Sequence, residues 1–223
     1  MKKALFIFIT FISFSTYSQE YMKEITSLVC DCVGKLENPT FDKAIFTCLK
    51  EEVYKEALNE EYYKDIVNKV MDSVTGNTYE KGYKLGYEFS SKILENLIDD
   101  CSLFFELYEK QREETRVKSK KLYSTKYLDS INQRGGVTWE FLFNRGSINF
   151  AHDNYDLAIK DFERMKKIYP SNLASYFFLG WIYEKKKEYA KSLEYYNKSL
   201  ERKADNNIAL VVRAVQKKMR DQK

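Results

Sequence analysis

Histidine occurs once in this 223-residue chain, at His152, and proline only twice, at Pro39 and Pro170. A single histidine leaves no histidine-rich zinc site and few of the pairs that general acid–base catalysis uses. No glycine-rich phosphate loop, serine elbow or HExxH pattern occurs either, so the common nucleotide, acyl-transfer and metalloprotease signatures are missing. Carboxylates are plentiful, as at Glu51-Glu52, Glu60-Glu61 and Asp99-Asp100, but adjacent acids belong to solvated faces and helix ends rather than to convergent pairs. Strand-type alternation of apolar and polar residues is absent. Lysine and arginine total 37 against 33 acids, interleaved rather than blocked, and a nucleic-acid binder would show a basic face instead. The densest basic stretch, Arg112 to Lys126 with Arg116, Lys118, Lys120 and Lys121, also carries Glu113 and Glu114 and reads as a solvated helix or linker.

The N-terminus is of another kind. Lys2 and Lys3 precede an apolar run from Ala4 to Phe14, and Thr16-Tyr17-Ser18 come next. This order predicts a secretory signal peptide over residues 1–18, too short and wrongly flanked for a stable transmembrane span. Its removal at Gln19 takes away two lysines and no acid, lowering the net charge from +4 to +2. No cysteine stands at the cut, so the expected product is exported, periplasmic or secreted, and not lipid-anchored.

Export gives the four cysteines a meaning. An even number in an oxidising compartment reads as two disulfides among Cys30, Cys32, Cys48 and Cys101. Met22, Ile25, Val29, Cys32 and Leu36 form a helical stripe, and side chains two apart on a helix point in nearly opposite directions. Cys30 and Cys32 are therefore expected not to bond each other. Asn38-Pro39 breaks the helix, and Phe41, Ile45, Cys48 and Leu49 begin another. Folding the pair antiparallel about residues 38–39 sets Cys48 level with Cys30, which favours Cys30–Cys48 and Cys32–Cys101. Further stripes run at Tyr63 to Val70, at Tyr83 to Leu97 and from Leu103 to Tyr108, with a break at Ser73–Asn77. The Gly135-Gly136 pair marks the best boundary before the rest of the chain.

Beyond that boundary two stretches repeat each other 34 residues apart. Gly146 aligns with Gly180, Tyr155 with Tyr189, Ala158 with Ser192, Phe162 with Tyr196, and Leu142 with Tyr176. The two glycines mark close approach of paired helices, and Pro170 stops the helix before it. Helices are expected at 139–152, 155–168, 173–186, 189–203 and 207–220. A period of this length with aromatic, glycine, small and aromatic residues in order resembles the tetratricopeptide repeat family. The first copy departs from the pattern at Arg145 and Asn149, where a leucine and an aromatic are expected. The resemblance implies a stacked helical scaffold whose first helices line a concave groove. Carried onto this chain, that groove holds Phe143, Asn144, Ser147 and Phe150 from the first copy. Phe177, Phe178, Trp181, Glu184 and Lys185 come from the second, and Val211, Val212 and Val215 from the last helix. An alternative is that the N-terminal helices fold back and bury these aromatics.

The expected architecture is all-α. It comprises residues 1–18 as signal peptide, 19–113 as a disulfide-stapled helical domain, 114–137 as linker or connecting helix, and 138–223 as the repeat region. The repeat region divides into copies at 139–172 and 173–206 and a capping helix at 207–223. The expected role is a non-catalytic scaffold or adaptor for another protein or peptide, with no cofactor, metal, nucleic acid or small-molecule substrate. The alternative is a thiol–disulfide oxidoreductase or isomerase built on Cys30 and Cys32.

Overall fold

The computed structural model describes residues 22–52, 90–122, 138–203 and 205–222, and all its regular structure is helical. The expected signal peptide, the stripe at Tyr63 to Val70, the break at Ser73–Asn77 and the Gly135-Gly136 boundary lie outside the described residues. Contacts divide the chain between Tyr108 and Glu109.

The first unit contains α1 (22–35), α2 (41–52), α3 (90–100) and the opening turns of α4 (Ser102–Leu122). Ile25, Val29 and Val33 are the buried stripe of α1, facing a core made by Ala44 and Leu49 of α2, Ile93, Leu97 and Ile98 of α3, and Phe104 of α4. Phe41 packs its ring 5.3 Å from Phe104 and 5.4 Å from Tyr108. Thr40 opens α2 as a side-chain cap, its hydroxyl accepting from the Lys43 amide at 3.2 Å.

Two disulfides lock this unit, Cys30–Cys101 and Cys32–Cys48. Cys30 and Cys32 are indeed not joined to each other. The expected partners, however, are exchanged: Cys48 takes Cys32, and Cys101 takes Cys30. The error lies in the register of the hairpin. The stripe of α1 runs through Val33, not Cys32, so the two cysteines stand on its opposite shoulders. The connection runs from Leu36 to Thr40, with Asn38 in the left-handed region at φ 49°. That connection is itself centred on Asn38, so its position does not give the pairing; the observed Cys32–Cys48 bond is symmetric about Thr40. In addition, Ala44–Leu49 winds as a π-helix, the Lys50 amide donating back to Ile45, which rotates the later residues of α2 relative to an ordinary helix.

The second unit begins with residues 109–122 of α4 and continues through α5 (Trp139–Ala151), α6 (Tyr155–Ile168), α7 (Leu173–Lys185), α8 (Tyr189–Arg202) and α9 (Asn206–Asp221). The bounds of these last five helices fall within one residue of those expected from the 34-residue period. Side-chain oxygens of Thr138, Asn172 and Asp205 cap α5, α7 and α9. A Cβ on Gly146 would stand 2.9 Å from the Phe162 ring, and one on Gly180 2.8 Å from the Tyr196 ring. Each pair of helices thus closes to a distance only glycine allows. Ser192 adds a hydroxyl donated to the Gly180 carbonyl at 2.8 Å.

The repeat is also written in the backbone. Asp153 and Lys187, 34 residues apart, are both left-handed, at φ 64° and 61°. The next amides, of Asn154 and Glu188, donate back to the Asn149 and Tyr183 carbonyls at 2.9 Å, closing the ends of α5 and α7 as C-terminal caps. The departures in the first copy are compensated. Arg145 lies where the second copy has Leu179, and its guanidinium grips Asp161, which lies where the second copy has Tyr195. An ion pair thus stands at the positions that Leu179 and Tyr195 hold in the second copy. Asn149 is buried, and His152 is the C-cap of α5.

Candidate functional site: the concave face of the repeat helices

The first helices of successive pairs, α5, α7 and α9, carry all twelve residues expected to line a groove. Phe150, Trp181, Glu184, Val211 and Val215 are buried, and Phe143, Asn144, Ser147, Phe177, Phe178, Lys185 and Val212 are half-buried. Trp181 is only 8 % exposed, so its ring is not open to solvent. The cover is residues 109–120 of α4, which belong to the second unit and fall mostly in the stretch expected as linker or connecting helix, rather than in the N-terminal helices of the first unit. The stretch read from sequence as a solvated helix or linker is, on its inner side, a partner of the concave face.

The groove is aromatic at its floor. Phe150 sits 5.0 Å from Trp181 and 5.9 Å from Phe178; Phe178 in turn stacks on Phe162 at 4.8 Å, ring to ring. Such clusters contribute directional packing as well as buried area. The α4 side presents charge to it. The Arg112 guanidinium lies 5.3 Å from the centre of the Trp181 ring, and that of Arg116 lies 5.8 Å from Phe150.

Glu184 is the hub. Its side chain is 2 % exposed and receives both Arg112 terminal nitrogens at 2.8 and 2.7 Å, Lys218 Nζ at 2.7 Å and the Tyr196 hydroxyl at 3.1 Å. Burial alone would push its carboxyl up. The Arg112 guanidinium and the Lys218 ammonium outweigh that and hold it down at about 2. Glu109 pairs with Arg112 at 2.7 Å and with Lys218, completing a four-member network. One turn on, Glu113 accepts from Arg116 and Lys185, and these hydrogen bonds hold its carboxyl at about 2. Arg116 also reaches Asp153 at 2.5 Å and the carbonyls of Phe150 and Ala151.

What α4 leaves uncovered is a cleft of about 240 Å³ between α4, α5 and α7. Phe143, Phe150, Phe178 and Trp181 form its apolar walls, with Thr115, Ser119 and Asn144 also lining it. The Ser147 hydroxyl, also lining it, is buried without a hydrogen-bond partner. Six of the twelve residues named from the resemblance line this cleft, and the resemblance gave no sign of the helix that covers it. The only signal of the cover was the Glu-x-x-Arg spacing at Glu109–Arg112 and Glu113–Arg116. Charged residues at that spacing equally suit an exposed helix.

No described helix is long and apolar enough to cross a membrane. No curated protein and no solved structure shows a significant match to this chain. The family model described as tetratricopeptide repeat matches residues 173–206, and the segment comprising α7 and α8 is therefore a tetratricopeptide repeat.

Proposed function

We propose that this chain is an exported, non-catalytic scaffold that binds another protein through the concave face of α5, α7 and α9. The observation that carries the reading is the tetratricopeptide repeat at 173–206, since such repeats generally mediate protein–protein interaction and are generally non-catalytic. Export is supported by the two disulfides, which persist in oxidising compartments, and by the charge and hydropathy order of residues 1–18. Cys30 and Cys32 are each committed to a different distant cysteine, so nothing favours the thiol–disulfide enzyme as a second reading.

The test places a photo-crosslinking amino acid at Asn144, which lines the cleft, or at the exposed Glu201 of α8, in cells expressing the full chain. A discrete protein adduct from position 144 and none from position 201 is expected. Absence of any adduct from position 144, or the same adducts from both, refutes the concave-face assignment.

A further inference from the structure

α4 changes character where the second unit begins. Phe104, Leu107 and Tyr108 are buried apolar residues. From Glu109 to Lys120 the only apolar residue is Val117, and it is 38 % exposed. This stretch contributes no buried hydrocarbon side chain, yet it touches all three first helices of the repeat region. It meets α9 through Glu109–Lys218, α7 through Arg112–Glu184 and Glu113–Lys185, and α5 through Arg116 over Phe150. Charge and cation–π contacts, rather than apolar burial, select this helix.

The pattern it presents is regular. Glu109 and Glu113 each stand three residues before an arginine, and the two arginines are four apart, about 6 Å along a helix. That spacing carries one guanidinium to Trp181 and the next to Phe150. Each arginine then finds an acid on the groove side, Glu184 for Arg112 and Asp153 for Arg116, while Lys185 and Lys218 answer the two glutamates. Signs match at every contact, which is the mark of selection by charge.

We propose that the concave face is a receptor for a helix of the pattern Glu-x-x-Arg-Glu-x-x-Arg, filled in cis by α4 and in trans by a partner helix presenting the same pattern. This rests on reading the chain as a protein-binding scaffold and adds the chemistry of what it recognises. Tethering gives the cis helix an effective concentration on the order of millimolar, so it competes strongly with any free helix. A partner gains access only by outmatching that competition or where α4 is loosened.

The experiment uses the full disulfide-bonded chain and a labelled peptide of residues 105–122. Against the double variant Arg112→Gln/Arg116→Gln, in which the resident helix has lost both guanidinium groups, the peptide should bind at least about tenfold more tightly than to the unaltered chain. A peptide with both arginines replaced by glutamate should not bind. Equal binding to both proteins, or none to a variant that still melts cooperatively, overturns the proposal. Should the variant not fold, hydrogen exchange on the unaltered chain decides. Millimolar unlabelled peptide, competing with the resident helix for the same face, should accelerate exchange in residues 109–120 several-fold while residues 173–202 hold. Exchange that the peptide leaves unchanged refutes it. Failure here alongside a specific adduct from position 144 in cells would remove this recognition rule and leave the scaffold reading standing.

Discussion

Replacing Glu184 by glutamine tests the centre of the network with almost no change of shape. The substitution leaves Arg112 and Lys218 facing a neutral amide in a site where the native carboxylate is 2 % exposed. Two routes lead to the size of the effect. A carboxyl held at about 2 against an ordinary 4.5 corresponds to about 3 kcal/mol of stability at neutral pH. Removing one partner of a buried ion pair costs about 3–5 kcal/mol. For a chain of this size, each kcal/mol moves the midpoint by roughly 2–4 °C, so a fall on the order of 10 °C is expected. Urea titrations of both proteins followed by far-UV circular dichroism supply the free energies. The pH dependence has a definite sign. Because the folded carboxyl lies below its unfolded value, its contribution is complete above 4.5 and is lost as pH falls through about 2. Protonated Glu184 resembles glutamine, so the gap between the two proteins should shrink across that window. Glu113 titrates in the same region, but it does so in both proteins and cancels in the difference. A gap below about 1 kcal/mol at neutral pH, or one that acid leaves unchanged, refutes the hub role of Glu184.

Gly180→Ala should destabilise by about 1–3 kcal/mol, because its Cβ meets the Tyr196 ring at 2.8 Å and that ring is anchored through its hydroxyl to Glu184; an unchanged or raised urea midpoint would contradict the close approach. Arg145→Leu alone should cost about 2 kcal/mol by leaving the buried Asp161 carboxylate without its charged partner. Adding Asp161→Tyr, which copies the Leu179 and Tyr195 positions of the second repeat, should recover most of that loss in the same titration. Peptide mapping without reductant should yield Cys30–Cys101 and Cys32–Cys48 fragments, and the chain-entropy model assigns these loops about 4 and about 3 kcal/mol; a Cys30–Cys48 fragment would overturn the register given for α2. N-terminal sequencing of the exported protein should begin at Gln19, and a membrane-retained form starting at Met1 would refute the processing proposed.

Helix positions in the repeat region were legible because a 34-residue period constrains both ends of each helix at once: Gly146 and Gly180 mark the close approaches, and Pro170 a stop. The cysteine pairing was not legible, because one residue of hairpin register decides it, and neither the left-handed Asn38 nor the π-turn at Ala44–Leu49 leaves a sequence signal. The turns at Asp153 and Lys187 escaped for a related reason, since their left-handed backbone is built without glycine. The cover over the groove was misread because Arg112 and Arg116 sit among glutamates, and local pairing hides a long-range role. Asp161 was invisible as a partner of Arg145 because the two are 16 residues apart, on different helices.

The disulfides of the first unit are nested, the bond from Cys32 to Cys48 lying wholly inside the loop from Cys30 to Cys101. A chain entering an oxidising compartment from its N-terminus presents Cys48 long before Cys101. For that interval Cys48 meets two thiols on one short helix, and only Cys32 leads to the native state. Capture by Cys30 closes a loop of nearly the same length, so loop entropy barely separates the two choices. The packing of Val29 and Val33 against α2 must make the distinction, which requires the α1–α2 hairpin to form before its thiols are oxidised. Where oxidation comes first, the trapped Cys30–Cys48 form needs an exchange catalyst to recover, and the yield of correctly bonded protein then depends on the isomerase supply of the compartment.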